Sequence, residues 1–384
     1  MIHHCDYGRG LLTALQGSVM KAGSPLYQRG ALDGFHAKKT DRFTKHFCRC
    51  VGCEKRSSSC DVLYQPESEL NLSEYNGIEG KFIGSLLGTA IGDALGFPFE
   101  TIKNEDLRAQ RVYINGLIGT LFHPRGIYSD DTELTLLLAN MLKESKEFSS
   151  DAFRQEIMKW ASTNSRTPGS GMIKYVQSLQ SGISFDTSQN IGNGICSRIS
   201  PIALRYYNDE QSLIQTIDCY ARLTHNNSTA VAAALIVSQC ISWSVTRTPE
   251  TFDRDALCEH MLSLSKNLDD SVYKKLDCII HSLQKPVRQV IETIGTRPVV
   301  TESVIISIYS FLREYDDARR ALLLAVNTEG DRDTVGAITG SMIGALHGVK
   351  GIPSMWIKKI ENPSGIIQAG KELFQSYYAD STRI

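Results

Sequence analysis

Net charge is almost absent from this 384-residue chain: 41 Lys and Arg stand against 42 Asp and Glu, leaving −1. No global field draws it to nucleic acid or to a membrane surface, and neither partner is expected. Long apolar runs are missing too. No stretch of about 20 uncharged apolar residues occurs, so no transmembrane helix is expected. Met1 to Gly23 lacks the cationic start and apolar core of a secretory signal. The ten cysteines are scattered rather than dense, which excludes a small secreted disulfide scaffold. A cytoplasmic protein with reduced thiols is the expectation. Strand signals are scarce, and the segment Val112 to Leu121 around Asn115-Gly116 is the one candidate loop or hairpin.

What is present is apolar, helix-spaced sequence, with 42% hydrophobic residues and ample material for a core. Composition shifts near residue 76, which divides the chain into an N-terminal extension, 1–75, and one domain, 76–384. Periodicity predicts helices over Gly80–Gly96, Thr132–Ser145, Ser150–Ser162, Gly171–Gln180, Ile199–Tyr207, Glu210–Leu223 and Ser228–Thr246. Further helices are expected over Asp253–Lys266, Asp270–Leu283, Val287–Ile294, Thr301–Leu312, Tyr315–Asn327 and Asp333–His347. Asp130 or Asp131, Ser150, Asn227 and Ser228 are the N-cap candidates. The fold class is all-α, with functional residues on loops at helix N-termini.

Two of these helices carry glycine at every fourth position: Gly84, Gly88, Gly92 and Gly96, then Gly336, Gly340, Gly344 and Gly348. That spacing puts each set on one helix face. Glycine costs about 0.8–1 kcal/mol per helical position relative to alanine, so a packing reason is implied. Close approach of helices in a soluble bundle is that reason, because Asp93 interrupts the first helix and the membrane form of such a motif needs a longer uncharged span.

Two acidic motifs open long apolar helices: Ser129-Asp130-Asp131-Thr132 and Asp331-Arg332-Asp333-Thr334. Either alone reads as a helix cap that suits the macrodipole. Together they offer four carboxylates and hydroxyls with no histidine, an all-oxygen set that suits Mg²⁺, Mn²⁺ or Ca²⁺ rather than Zn²⁺. The second glycine helix starts at Asp333 and would mount that motif rigidly. The ligands lack the spaced twelve-residue pattern of a calcium loop.

From Gly80 to Leu373 the chain resembles the ADP-ribosylglycohydrolase family, of the dinitrogenase-reductase-activating type. The resemblance rests on stretches in the family's order: Gly84 to Gly96 continuing to Glu100; Ser129 to Thr132; Gly192-Asn193-Gly194 with Arg198 and Pro201; Leu223-Thr224-His225; and Asp331 to Thr334 with its glycine helix. Trp356 resembles the family's C-terminal element. The likeness implies a compact orthogonal multi-helix domain with a dinuclear metal cleft that cleaves ADP-ribose from a protein side chain. It implies two Mg²⁺ ions, with Mn²⁺ as the alternative, held by Ser129, Asp130, Asp131, Asp331, Asp333 and Thr334. Asp130, Asp131 and Glu100 take the catalytic roles. Hydrolysis at an anomeric carbon passes through an oxocarbenium-like state and needs a base for the attacking water.

Substrate contacts are expected from Gly169, Ser170 and Gly171, where a glycine loop opening a helix suits a diphosphate, and from Gly192, Asn193, Gly194 and His225. Four positions depart from the family's pattern. Ser129 keeps the hydroxyl of a commoner Thr. Ser197 replaces a frequent Met, a change expected to alter packing more than chemistry. Arg332 lies between two proposed ligands, pointing away from the metals or toward phosphate. Glu329 replaces a frequent Gly.

The extension has seven Lys or Arg against two acids between Lys38 and Arg56, with Cys48, Cys50, Cys53 and Cys60 nearby. Zinc binding there, free thiols and a flexible leader are all open. One bacterial subgroup supplies another expectation: immunity proteins that reverse arginine ADP-ribosylation and block the toxin with an N-terminal extension. The expected partners are an ADP-ribosylated protein and a cognate ADP-ribosyltransferase toxin bound through 1–75. Serine-linked and other acceptors, and a non-catalytic binding or structural role, are the alternatives.

Overall fold

The eight spaced glycines form one seam. In the computed structural model, which describes residues 70–381 except 101, 103, 111, 121, 122, 146, 164, 165 and 167, α1 (Gly77–Gly96) lies against α15 (Arg332–Gly351). A Cβ placed on Gly84, Gly88, Gly92 or Gly96 would fall closer than 3.0 Å to backbone atoms of Gly344, Gly340, Gly336 and Arg332 respectively. The clash is reciprocal at Gly336, Gly340 and Gly344. Backbone touches backbone, and only glycine allows it. Partner numbers fall on one helix as they rise on the other, so the helices run antiparallel. The seam therefore sets the end of α1, with Glu100 just beyond it, beside the start of α15.

Seventeen α-helices are present among the described residues, with no strand. Between the glycine helices come α2 (Asn104–Ala109), α3 (Asp130–Ser145), α4 (Ser150–Ser162), α5 (Ser170–Ser181), α6 (Gly194–Ser197), α7 (Ser200–Arg205), α8 (Glu210–Thr224) and α9 (Ser228–Val245). Then follow α10 (Arg254–Leu268), α11 (Asp270–Ile280), α12 (Val287–Ile294), α13 (Ile305–Arg313) and α14 (Ala318–Val326). Two helices close the chain, α16 (Ser354–Ile357) and α17 (Pro363–Ser381). A small unit takes in Ile102–Tyr113 and Gly119–Pro124 and contains α2. All other helices belong to the larger unit, where α9, α13 and α14 pack on α15, and α17 packs on α1 and α3.

Segment Gly77–Phe99 and α9 are long and apolar enough to cross a membrane, but 94% and 83% of their apolar windows are buried inside the protein. Their apolarity is that of core helices. Lys81 ties their neighbours together: its Nζ lies within hydrogen-bond reach of the carbonyls of Ser244 in the last turn of α9, of Arg247 just after it, and of Ala345 and Leu346 near the end of α15. A cation at helix C-termini satisfies carbonyls that have no helical partner.

The helix pattern follows expectation with several differences. Of the two alternatives around Asn115-Gly116 the loop is found, and the Ile114 main chain exchanges bonds of 2.9 and 2.8 Å with the Asn327 amide. The helix expected from Thr301 begins with a π turn, Val300–Val304, before α13. Ser149 rather than Ser150 caps α4, accepting from Ala152 N. Helices α2, α6, α16 and α17 have no counterpart among the expected helices, although for α17 Pro363 at its first position and Ile366, Leu373 and Tyr377 on one face were signals. Residues 1–69, including Cys48, Cys50, Cys53 and Cys60, lie outside the described residues.

Candidate active site

Helix α3 does not use its own acids as caps. Asp93, fully buried in α1, accepts from Ser129 N at 2.8 Å, from Thr132 N at 3.1 Å and from Thr132 Oγ1 at 2.6 Å. The free N–H groups at the helix start are satisfied from another helix. Asp131 N donates to Ser129 Oγ at 3.1 Å. The carboxylates of Asp130 and Asp131 are thereby released from capping.

Asp331 stands at the N-cap of α15 and makes no cap bond either. Its Oδ2 accepts from Asn193 Nδ2 at 2.7 Å, and that amide also reaches Ser303 Oγ at 3.0 Å on the π turn. The two motifs touch directly: Thr334 Oγ1 donates to Asp131 Oδ2 at 2.8 Å across 203 residues of sequence. Glu100, Asp331 and Asp333 each bring an oxygen within 4.8 Å of the others. Glu100, which the sequence placed among the catalytic acids, thus sits in the same carboxylate group as the second motif.

The approach to α15 is tight. Gly330 has φ 73° and a Cβ there would strike the Thr296 carbonyl; Glu329 also has φ 73°. The loop keeps a left-handed residue at 329 even without glycine, at a cost of about 1–2 kcal/mol. Arg332 is buried and turns back to donate to Gly330 O at 3.3 Å.

Ser197 corrects the expectation of a packing change. Its Oγ donates to Asp131 Oδ1 at 2.5 Å, so both oxygens of Asp131 are held by hydroxyls. Supporting hydrogen bonds on a ligand orient it, and their loss costs about 10- to 100-fold in metal affinity or activity. Ser197→Ala is expected to weaken Mg²⁺ binding about tenfold by calorimetry. Unchanged affinity would mean the bond has no role.

Burial is the first cause of raised pKa values throughout this group. It pushes Asp93 up to about 7, with Asp131 adding to the effect, and Glu100 up to about 7, with Asp331 and Asp131 adding. Asp130 is pushed up to about 8, with Asp131 and Asp93 adding, and Asp131 and Asp333 rise as well. No Lys or Arg forms an ion pair with these acids among the described residues. Uncompensated carboxylate oxygens of this kind fit a hard divalent cation.

Stability should follow. An acid whose folded pKa is raised holds a proton that the unfolded chain has released, so folding weakens as pH rises from about 4 to 8. The EDTA-treated protein should melt at a higher temperature at about pH 5 than at about pH 8, and Mg²⁺ should raise the midpoint most at the higher pH. A midpoint that climbs with pH in EDTA would contradict this.

The expected substrate residues converge through Asn190. Its Oδ1 accepts from Gly192 N at 3.1 Å and its Nδ2 donates to Thr224 O at 2.8 Å. A Cβ on Gly171 would meet Asn190 Nδ2 at 2.9 Å, and one on Gly192 would lie 3.5 Å from His225 Nε2. Gly171, the Gly192–Gly194 segment and His225 are therefore neighbours. Gly169 is the exposed N-cap of α5 and Ser170, also exposed, is its first residue. The preceding Arg166 stacks over the Tyr128 ring at 4.5 Å and pairs with Glu361 at 2.5 Å, while its N–H donates to Glu133 Oε2 at 3.3 Å. This fastens the α5 loop to the first turn of α3. Asp93, Asn190, Ser303 and Arg166 had escaped the sequence reading, though an acid inside a glycine helix was a signal for the first.

An all-α protein with a partly buried carboxylate cluster near glycine-rich segments at helix starts is the class these features define. An ADP-ribosylglycohydrolase family model matches residues 75–383, and the chain belongs to that family. It is 26% identical over 340 residues to the ADP-ribosylhydrolase ARH3 of Xenopus tropicalis, covering 77% of this chain and 95% of the relative. Against the ADP-ribosylarginine hydrolase Tri1 of Serratia proteamaculans it is 24% identical over 310 residues, covering 76% and 78%. A solved chain described as an ADP-ribosylglycohydrolase-related protein complex shares the fold, with a TM-score of 0.65, 22% identity, and coverage of 78% of this chain and 99% of its own.

Proposed function

We propose that this protein is a divalent-metal-dependent hydrolase that releases ADP-ribose from ADP-ribosylated protein, with arginine as the acceptor. The observation that carries the reading is the meeting of the two acidic motifs through Thr334 and Asp131, beside the Glu100, Asp331 and Asp333 cluster. Membership of a glycohydrolase family and similarity to an ADP-ribosylarginine hydrolase support the reaction and the acceptor.

Ser129, Asp130, Asp131, Asp331, Asp333 and Thr334, joined by Glu100, would hold two Mg²⁺ ions, with Mn²⁺ as the alternative. Bound there, the ions would supply water of lowered pKa and polarise ribose oxygens. The chain's own residues do the rest. Both oxygens of Asp131 accept hydroxyl donors, whereas Asp130 makes no side-chain hydrogen bond among the described residues, so Asp130 takes the water's proton. Asn193 orients Asp331. The exposed start of α5 receives the diphosphate, and the Gly192–Gly194 segment lies against the ribose.

Incubation with arginine-, serine- and aspartate-linked ADP-ribosyl substrates, in Mg²⁺ or in EDTA, tests this. Release from arginine in Mg²⁺ alone is expected. Release from serine alone would transfer the acceptor assignment, and no release by folded, Mg²⁺-loaded protein would end the hydrolase reading. We further propose a cytoplasmic immunity role in which residues 1–75 bind the toxin. A folded protein with Asp130→Asn and Asp331→Asn should still protect cells from the cognate toxin if that segment blocks it. Complete loss of protection would remove the blocking role.

A further inference from the structure

Arg198, Thr224 and His225 form a hydrogen-bond chain with one permitted sense. Arg198 is 3% exposed and can only donate. Its Nε donates to Tyr220 OH at 2.8 Å and its Nη2 to Thr224 Oγ1 at 3.4 Å. Thr224 is 1% exposed, and among the described residues its hydroxyl has one other partner, His225 Nδ1 at 2.7 Å. With Arg198 unable to accept, the threonine hydrogen goes to Nδ1. The opposite sense would leave a buried hydroxyl hydrogen without an acceptor. Nδ1 then carries no proton, and the proton of the neutral ring sits on Nε2.

The charged ring is also disfavoured here. Burial, reinforced by the Arg198 cation, pushes the imidazole down to about 3. His225 is 4% exposed and Nε2 has no partner among the described residues. That nitrogen faces Gly192, next to Asn193, which binds Asp331.

We propose that Arg198 and Thr224 are positioning residues that lock His225 in its Nε2–H tautomer, so that the ring is a fixed donor to an acceptor oxygen of the bound ligand. This rests on reading the cleft as an ADP-ribose site. The acceptor is a phosphoryl oxygen or a hydroxyl oxygen of the distal ribose, which share the same chemistry.

The test uses the full chain labelled with ¹⁵N-histidine, His225 being assigned by the signals that vanish in His225→Gln. Native His225 should show an unprotonated Nδ1 and a protonated Nε2, unchanged between about pH 5.5 and 8. Thr224→Val, of the same shape, should lose the single tautomer and bind ADP-ribose about three- to tenfold more weakly by calorimetry. Thr224→Ser should restore both. In hydrolysis the Thr224→Val loss should appear in KM more than in kcat. An equal loss for ADP assigns the acceptor to the diphosphate; a loss confined to ADP-ribose assigns it to the distal ribose. A native ring protonated at Nδ1, or Thr224→Val binding ADP-ribose as tightly as native, overturns the proposal. If native protein binds no ADP-ribose, the cleft assignment fails, while the ¹⁵N signals still decide the relay.

Discussion

Asp331→Asn should lower ADP-ribose release by about 10³-fold and leave the melting temperature unchanged or higher in EDTA. In the proposed reaction Asp331 is a metal ligand that helps to orient the attacking water, an effect worth about 10²–10⁴ in rate. The stability change has the opposite sign for a physical reason. Asp331 is one of the charges that raise Asp333, Glu100 and Asp131, so neutralising it relieves repulsion in a partly buried group. The bond from Asn193 Nδ2 keeps an acceptor in the asparagine carbonyl. Paired rate and melting measurements check this. A large drop in stability together with activity would mean that Asp331 is a structural cap after all.

Gly92→Ala should destabilise the protein by about 3 kcal/mol or more, lowering the midpoint by roughly 5 °C or more. In an ordinary helix the same change stabilises by about 0.8–1 kcal/mol. The sign reverses because the new methyl would lie on the Gly336 carbonyl, which is backbone and cannot rotate away. Separating the two helices also moves Glu100 from Asp331 and Asp333, so metal affinity should fall in whatever fraction stays folded. Thermal and chemical melts of the variant decide between a seam that must stay closed and one with slack.

The sequence announced much of this architecture. Repeated glycines on two helices pointed to close approach, and the match of Gly84 with Gly344, Gly88 with Gly340 and Gly92 with Gly336 is that approach in detail. Direction was not legible: spacing gives a face, whereas only the pairing shows that the helices are antiparallel and that Glu100 meets the second acidic motif. The acids were legible as a pair but ambiguous as caps. Asp93 resolved that, because it occupies the capping role from a position 36 residues away from Ser129. Ser197 was read as a packing change because a serine in a short helix gives no sign of what faces it; its bond to Asp131 exists only after α6 and α3 are brought together. The π turn was hidden for a related reason, since Val299 to Val304 has helical spacing whether the turn closes after four residues or five.

The central claim is that the two motifs make one metal centre, and Mg²⁺ titration of EDTA-stripped protein by calorimetry tests it most directly. The native protein should bind Mg²⁺, and Asp131→Asn and Asp331→Asn should each abolish the same binding although they lie on different helices. Residual Mg²⁺ binding of native strength in either variant would show two independent acidic sites and contradict the account.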